Sequence, residues 1–173
     1  MKVLKQDVPL IYEYPGQLKG AKEVEVHSRL SGSIVEKYFN GGNTVRTGDA
    51  LYKIDSRQYE TEILEAQANL HKAEAELQTS QEDLVRDEML FENKAISEQM
   101  LTNQRAKVKA NAATVEAYQA AVRKAQETLD DTIVYAPMDG KLSVDDVAVG
   151  TYATAGSTKL VTIGSTDPIH VQF

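Results

Sequence analysis

Residues 62–91 read EILEAQANLHKAEAELQTSQEDLVRDEMLF, and Ile63, Leu70, Leu77, Leu84 and Phe91 occupy every seventh position in that run. This spacing gathers apolar side chains into one seam along a helix that packs on another helix. After a short break a second series with the same spacing follows, Leu101, Val108, Val115, Val122 and Leu129. Ala66 and Ala73 beside the first seam, with Ala112 and Ala125 near the second, let the two backbones approach closely. The expectation is an antiparallel hairpin that turns at Asn93-Lys94-Ala95-Ile96. Ser97 and Glu98 suit the start of the returning helix, the hydroxyl accepting from an orphan amide and the acid complementing the dipole. Helices of about 35 residues make a rod on the order of 50 Å long.

Outward from this rod the chain changes character. All ten Gly and all four Pro lie before Asp49 or after Ala136. These residues punctuate turns, so the flanks read as short strands around a helical middle, a β–α–β plan. Laid side by side, the flanks repeat: Gly32, Gly42 and Gly48 recur as Gly140, Gly150 and Gly156 at one shared offset, which also matches Val26 to Val134. With one extra residue in the second copy, Leu51 and Ile54 match Leu160 and Ile163. Each half is then a set of strands with glycines where turns need positive φ, as in Asn40-Gly41-Gly42-Asn43 and Asp139-Gly140. Neither half buries its apolar face alone, so the two stack, and the hairpin leaves after the first and returns before the second.

Composition excludes several classes. The 173 residues carry 19 Lys+Arg against 26 Asp+Glu, a formal charge of −7. An acidic chain has no general attraction for phosphate backbones or anionic lipid, so no nucleic-acid partner is expected. The absence of Cys removes disulfides, thiolate metal sites and cysteine nucleophiles. No apolar run reaches the length of a membrane span. His27, His71 and His170 are far apart, and Glu74 beside His71 reads as a solvated helix face. Asp130-Asp131 read as a helix end, and neither they nor Asp145-Asp146 offer the separated environments that paired catalytic carboxylates need. Gly41, Gly42 and Gly48 precede no helix at phosphate-cradling distance. No enzyme activity, metal or cofactor is expected.

Val26-His27-Ser28-Arg29-Leu30-Ser31-Gly32 through Leu51-Tyr52-Lys53-Ile54-Asp55 resembles half of a biotinyl/lipoyl domain, and Tyr135-Ala136-Pro137-Met138-Asp139-Gly140 onward resembles the other half. A carrier domain has a modified Lys in the turn between halves. Here Asp55-Ser56-Arg57-Gln58 opens into the hairpin instead, which disfavours a lipoyl or biotin carrier.

A lipoyl-like domain interrupted by a helical hairpin resembles the AcrA/MexA-like periplasmic adaptors, or membrane fusion proteins, of tripartite efflux pumps of the resistance–nodulation–division (RND) class. The resemblance implies an α+β fold, a lipoyl-like (barrel-sandwich hybrid) β domain split by a long antiparallel hairpin, with edge strands of an incomplete β-barrel. The divisions expected are barrel strands in 1–22, the first lipoyl-like half in 23–55, the hairpin in 56–131 with its tip near 92–97, the second half in 132–165 and the barrel again from 166–173. Val8, Leu10, Tyr12 and Tyr14 alternate, as do Ile169, Val171 and Phe173, which suits those barrel strands. The resemblance further implies that the chain is part of a longer protein, with a signal or lipid anchor at the inner membrane and further domains in the periplasm.

Adaptors of RND pumps share an Arg, a Leu four residues on and a Ser eleven after the Arg, around the tip; Arg86, Leu90 and Ser97 match. The resemblance assigns these three to docking on a TolC-type outer-membrane channel, with an RND transporter as inner-membrane partner and a hexameric ring of adaptors. An ABC-type exporter is the alternative partner. If Leu84 and Phe91 are in the seam, Arg86 and Leu90 share an outward stripe at i, i+4. Each also has a local reading: Ser97 as helix cap, Arg86 as the partner of Glu82, Leu90 as cover for the turn over Lys94. Adaptors of copper and silver pumps carry clustered methionines, whereas Met89, Met100 and Met138 stand apart.

Overall fold

The computed structural model describes residues 17–20, 22–166 and 169–172. The alternating Val8, Leu10, Tyr12 and Tyr14, the Asp167-Pro168 step and Phe173 lie outside the described residues. In chain order the elements are β1 (Gln17–Gly20), β2 (Glu23–His27), β3 (Gly32–Lys37), β4 (Thr44–Val45), β5 (Ala50–Ile54), α1 (Arg57–Glu92), α2 (Glu98–Asp130), β6 (Ile133–Tyr135), β7 (Gly140–Leu142), β8 (Tyr152–Ala153), β9 (Lys159–Gly164) and β10 (Ile169–Gln172).

The helices pack on each other along their length. Ile63, Ala73 and Ser80 are the buried residues of α1, and Leu101 and Val115 those of α2. The seam therefore contains more than the apolar series. Ser80 alternates with it and is 1% exposed, its hydroxyl donating to the Leu77 carbonyl at 2.8 Å. From the facing helix the Gln104 amide donates to the Ser80 carbonyl at 2.8 Å, and Asn111 donates to the Glu76 carbonyl at 3.2 Å. At the far end the seam opens: Phe91 is 39% exposed rather than buried, because the chain turns away just beyond it.

The strands form two four-stranded antiparallel sheets, in the orders β2-β9-β7-β4 and β6-β5-β3-β8, while β1 pairs β10 separately. Each large sheet draws strands from both sides of the hairpin, so neither flank has a sheet of its own. The two halves are joined by hydrogen bonds that obey the repeat. Gly42 N–H donates to Leu142 O at 3.2 Å, and its counterpart Gly150 donates to Ile34 O at 2.8 Å. Gly48 donates to Ala136 O at 2.9 Å, and Gly156 to Ser28 O at 2.7 Å. Ile34 donates to Thr151 O and Leu142 to Asn43 O, both at 2.9 Å. The body is thus two copies of one strand set related by an approximate two-fold.

The glycines divide into two kinds. Gly42 has φ of 80° and its counterpart Gly150 has 92°, the left-handed region that favours glycine. Gly140 was expected to serve a turn in the same way, but its role is different. A β-carbon there would stand 2.5 Å from Gly164 O and 2.7 Å from the Ile163 side chain, so it is glycine for lack of room.

Between the sheets Tyr52, Ile34, Leu51, Ile54, Leu160, Val161 and Ile163 are at most 1% exposed. The Tyr52 ring meets Phe39 edge-on at 5.1 Å, an arrangement favoured by aromatic quadrupoles. Its hydroxyl donates to Leu160 O at 3.2 Å and accepts from Val147 N–H at 3.3 Å, so the phenol bridges both halves. The hairpin is tied to this body at its base, where Ile54 N–H donates to Thr132 O at 2.8 Å and Arg29 pairs with Asp131 at 2.8 Å. Asp131, the residue that closes α2, is held by this cation.

Candidate functional site

The hairpin tip is built by two local devices. After Glu92, Asn93 closes α1 and Lys94 takes φ of 58°. Lys94 N–H then donates to Phe91 O and Ala95 N–H to Leu90 O, both at 2.8 Å. This is the Schellman arrangement, which satisfies carbonyls that the last helical turn leaves open. Ser97 is extended, with φ of −83° and ψ of 155°, and its hydroxyl accepts from Met100 N–H at 3.3 Å. A cap in this geometry starts α2 sharply.

Arg86 and Leu90 lie on the last two turns of α1, away from α2. The Arg86 side chain is 66% exposed and Leu90 is 39% exposed. Arg86 pairs with Asp83 at 3.0 Å and not with Glu82, whose carboxylate is taken by the Gln78 amide at 3.0 Å. An exposed pair of this kind contributes about 0–1 kcal/mol, so the guanidinium exchanges partners at little cost. Ser97 is exposed on the far side of the turn, with its oxygen already engaged as the cap. The three residues therefore share the tip without touching one another.

Three further features escaped the reading from sequence. Arg105 on α2 bridges to Glu88 on α1 at 3.0 Å, closing the hairpin just below the tip. A groove lined by Glu88, Phe91, Glu98, Leu101 and Arg105 opens on that side. Val85 and Met89 are 58% and 55% exposed, so the outer surface near the tip carries apolar area beyond Leu90. The signal was present: Val85 and Met89 fall off the seven-residue seam, at the same four-residue step that separates Arg86 from Leu90. Among the described residues no group of three His, Cys, Asp or Glu side chains converges as metal ligands, and no helix is long and apolar enough to cross a membrane.

Comparison with known proteins agrees with this architecture. Residues 22–164 match the family described as RND MFP, barrel-sandwich hybrid domain. The chain is 35% identical over 170 residues to the multidrug resistance protein MdtA of Proteus mirabilis, covering 98% of this chain and 41% of that protein. The MdtA protein of Klebsiella pneumoniae matches with the same identity and coverage. The chain thus spans about two fifths of the length of these relatives. Among solved structures, a MacA–MexA chimera with the Pseudomonas aeruginosa MexA α-hairpin domain superposes with a TM-score of 0.58 at 25% identity, over 90% of this chain and 52% of the chimera. A membrane fusion protein of Streptococcus pneumoniae R6 shares the fold with a TM-score of 0.69 at 21% identity, over 90% of this chain and 67% of its own. With the split repeat, the inserted hairpin and the family match coinciding over the same residues, this chain belongs to the RND membrane fusion protein family and comprises its barrel-sandwich hybrid domain.

Proposed function

We propose that the chain is the barrel-sandwich and hairpin portion of a periplasmic adaptor that links an inner-membrane RND transporter to a TolC-type outer-membrane channel. In this reading adaptors stand in a ring of six, anchored at the inner membrane, and their hairpins enclose a sealed path for drug export. The transporter supplies the driving force, and the adaptor supplies coupling and closure rather than bond chemistry. One observation carries the reading: a rigid, sharply turned helical tip presents an exchangeable cation and apolar area on its outer surface, far from the β body. The MdtA relatives, named for multidrug resistance, support the drug-export class.

Within the tip, Arg86 offers planar donors to carboxylates or carbonyls of the channel, and Leu90 offers the adjoining apolar anchor. Ser97 holds the start of α2 so that both are presented in one geometry. The test is dye efflux in cells carrying the full-length protein, wild type against Arg86→Asp at matched levels. Loss of efflux with hairpin helicity retained supports docking through the tip; wild-type efflux removes Arg86 from the site. Folding is expected to hold, since an exposed helix substitution changes stability by about 0.5 kcal/mol or less.

A further inference from the structure

Oxidisable sulfur in this chain is confined to thioethers, since the sequence has four Met and no Cys. Met1 lies outside the described residues, and Met138 is half-buried against the core of the β body. Met89 and Met100 are both 55% exposed, one on each side of the hairpin turn. Successive residues stand about 100° apart around an α-helix, so Leu90 and Glu92 lie on opposite sides of Phe91, and Met100 and Thr102 on opposite sides of Leu101. Glu92 and Thr102 both line the groove beside Arg105, which leaves Leu90 and Met100 together on the other flank. Met89 stands three residues beyond Arg86 and four beyond Val85, on the outward stripe of α1. Both exposed thioethers therefore belong to the surface that carries Arg86 and Leu90.

We infer that Met89 and Met100 are oxidation sites through which a hypohalous acid in the cell envelope releases the tip from its channel. The inference rests on the docking role proposed for the tip and adds a regulation of that surface. In the step each thioether sulfur gains one oxygen and loses two electrons, while hypochlorous acid is reduced to chloride and a proton is released. As a thioether the unbranched Met side chain is an adaptable apolar contact; as a sulfoxide it is polar and chiral. Docking around Leu90 then has to desolvate an S–O dipole on either side, which costs free energy unless a donor meets it. The new oxygen on Met89 is also an acceptor one turn from Arg86, and it competes with the channel for that guanidinium. The change is reversible: a methionine sulfoxide reductase restores the thioether, two thiols being oxidised to a disulfide and the oxygen leaving as water.

Trypsin separates the methionines, because cleavage after Arg86, Lys94 and Arg105 puts Met89 and Met100 in different peptides, and Met138 falls in a third that follows Lys124. Full-length protein given hypochlorous acid should gain one oxygen at Met89 and at Met100 about fivefold faster than at Met138, exposure governing the difference. A Met138 rate within about twofold of theirs overturns the assignment of sites. Function is read as dye efflux in cells carrying the full-length protein at matched levels. Met89→Leu/Met100→Leu keeps the surface apolar and cannot form a sulfoxide, whereas Met89→Gln/Met100→Gln makes it permanently polar. Leu and Gln are both good helix formers, so the two variants should share one circular dichroism spectrum. Efflux by the Leu variant should exceed that by the Gln variant several-fold. A hypochlorous acid pulse should lower efflux several-fold in wild type but not in the Leu variant, each measured against itself before the pulse. Efflux by the Leu variant no higher than by the Gln variant overturns the inference, as does a wild-type loss that the Leu variant shares. Arg86→Asp keeps the two readings apart: if it abolishes efflux while the Leu and Gln variants agree, docking through the tip stands and only its oxidation switch falls, whereas wild-type efflux from Arg86→Asp removes the tip assignment itself.

Discussion

A methyl of Ile54 lies over the α-carbon of Gly32, 2.6 Å from where a β-carbon would be. The repeat places Ile163 over Gly140 in the same way, at 2.7 Å, but there the Gly164 carbonyl also closes in at 2.5 Å. In both halves a strand begins under the isoleucine that ends the half, and glycine is the residue that fits. Gly32→Ala meets one atom, the methyl on the branched β-carbon of the fully buried Ile54. Gly140→Ala meets backbone. Gly140→Ala is therefore expected to be the more destabilising, in the upper part of the range of about 1–3 kcal/mol for an overpacked core, with Gly32→Ala in the lower part. Urea unfolding midpoints at unchanged slope measure the order.

Gln104 reaches across the hairpin to a main-chain carbonyl, so its removal deletes a bond without emptying the core. Gln104→Ala should cost about 1 kcal/mol. Leu101→Ala, at a seam position 5% exposed, should cost about 2–5 kcal/mol. Thermal unfolding followed at 222 nm, with helix content unchanged at low temperature, separates the two.

Lys94 holds a left-handed conformation that a side chain disfavours. Lys94→Gly should raise stability by about 1 kcal/mol while keeping the Schellman bonds to Phe91 and Leu90. An increase in the unfolding midpoint checks this, and a decrease would show that the lysine side chain is itself a needed contact.

Burial pushes the Tyr52 phenol from its ordinary 10.0 up to about 12. The folded protein keeps this proton where the unfolded chain releases it. The associated stability is thus fully present below pH 10 and is lost as pH rises from there through about 12. In Tyr52→Phe this part of the alkaline loss should vanish, though the variant starts lower by about 1 kcal/mol for the lost bond to Leu160 O. Unfolding midpoints between pH 8 and 12, wild type against variant, give the comparison.

Much of this architecture was legible because it rests on periodicity. Ile63, Leu101 and Val115 are buried where the seven-residue spacing puts them, and the matched glycines and isoleucines announced two equivalent β halves. The choice of Arg86, Leu90 and Ser97 came from the family resemblance, whereas the exposure of Arg86 and Leu90 follows from their place off the seam. The polar layers could not be read the same way. Ser80, Gln104 and Asn111 are ordinary helix-surface residues until the partner helix supplies a carbonyl at hydrogen-bond distance.

The sequence by itself determined the elements and their equivalence: where helix is uninterrupted, where turns must fall, and which residues recur in each half. These are local properties, set by backbone conformation and by the period of apolar side chains. Only the tertiary structure decided how the halves combine, with strands of each contributing to both sheets, and why Gly140 must be glycine. It also decided that Arg86 takes Asp83 rather than Glu82, and that Phe91 leaves the seam. Those outcomes depend on distances between residues remote in the chain or competing for one partner, and such distances exist only once the chain has folded.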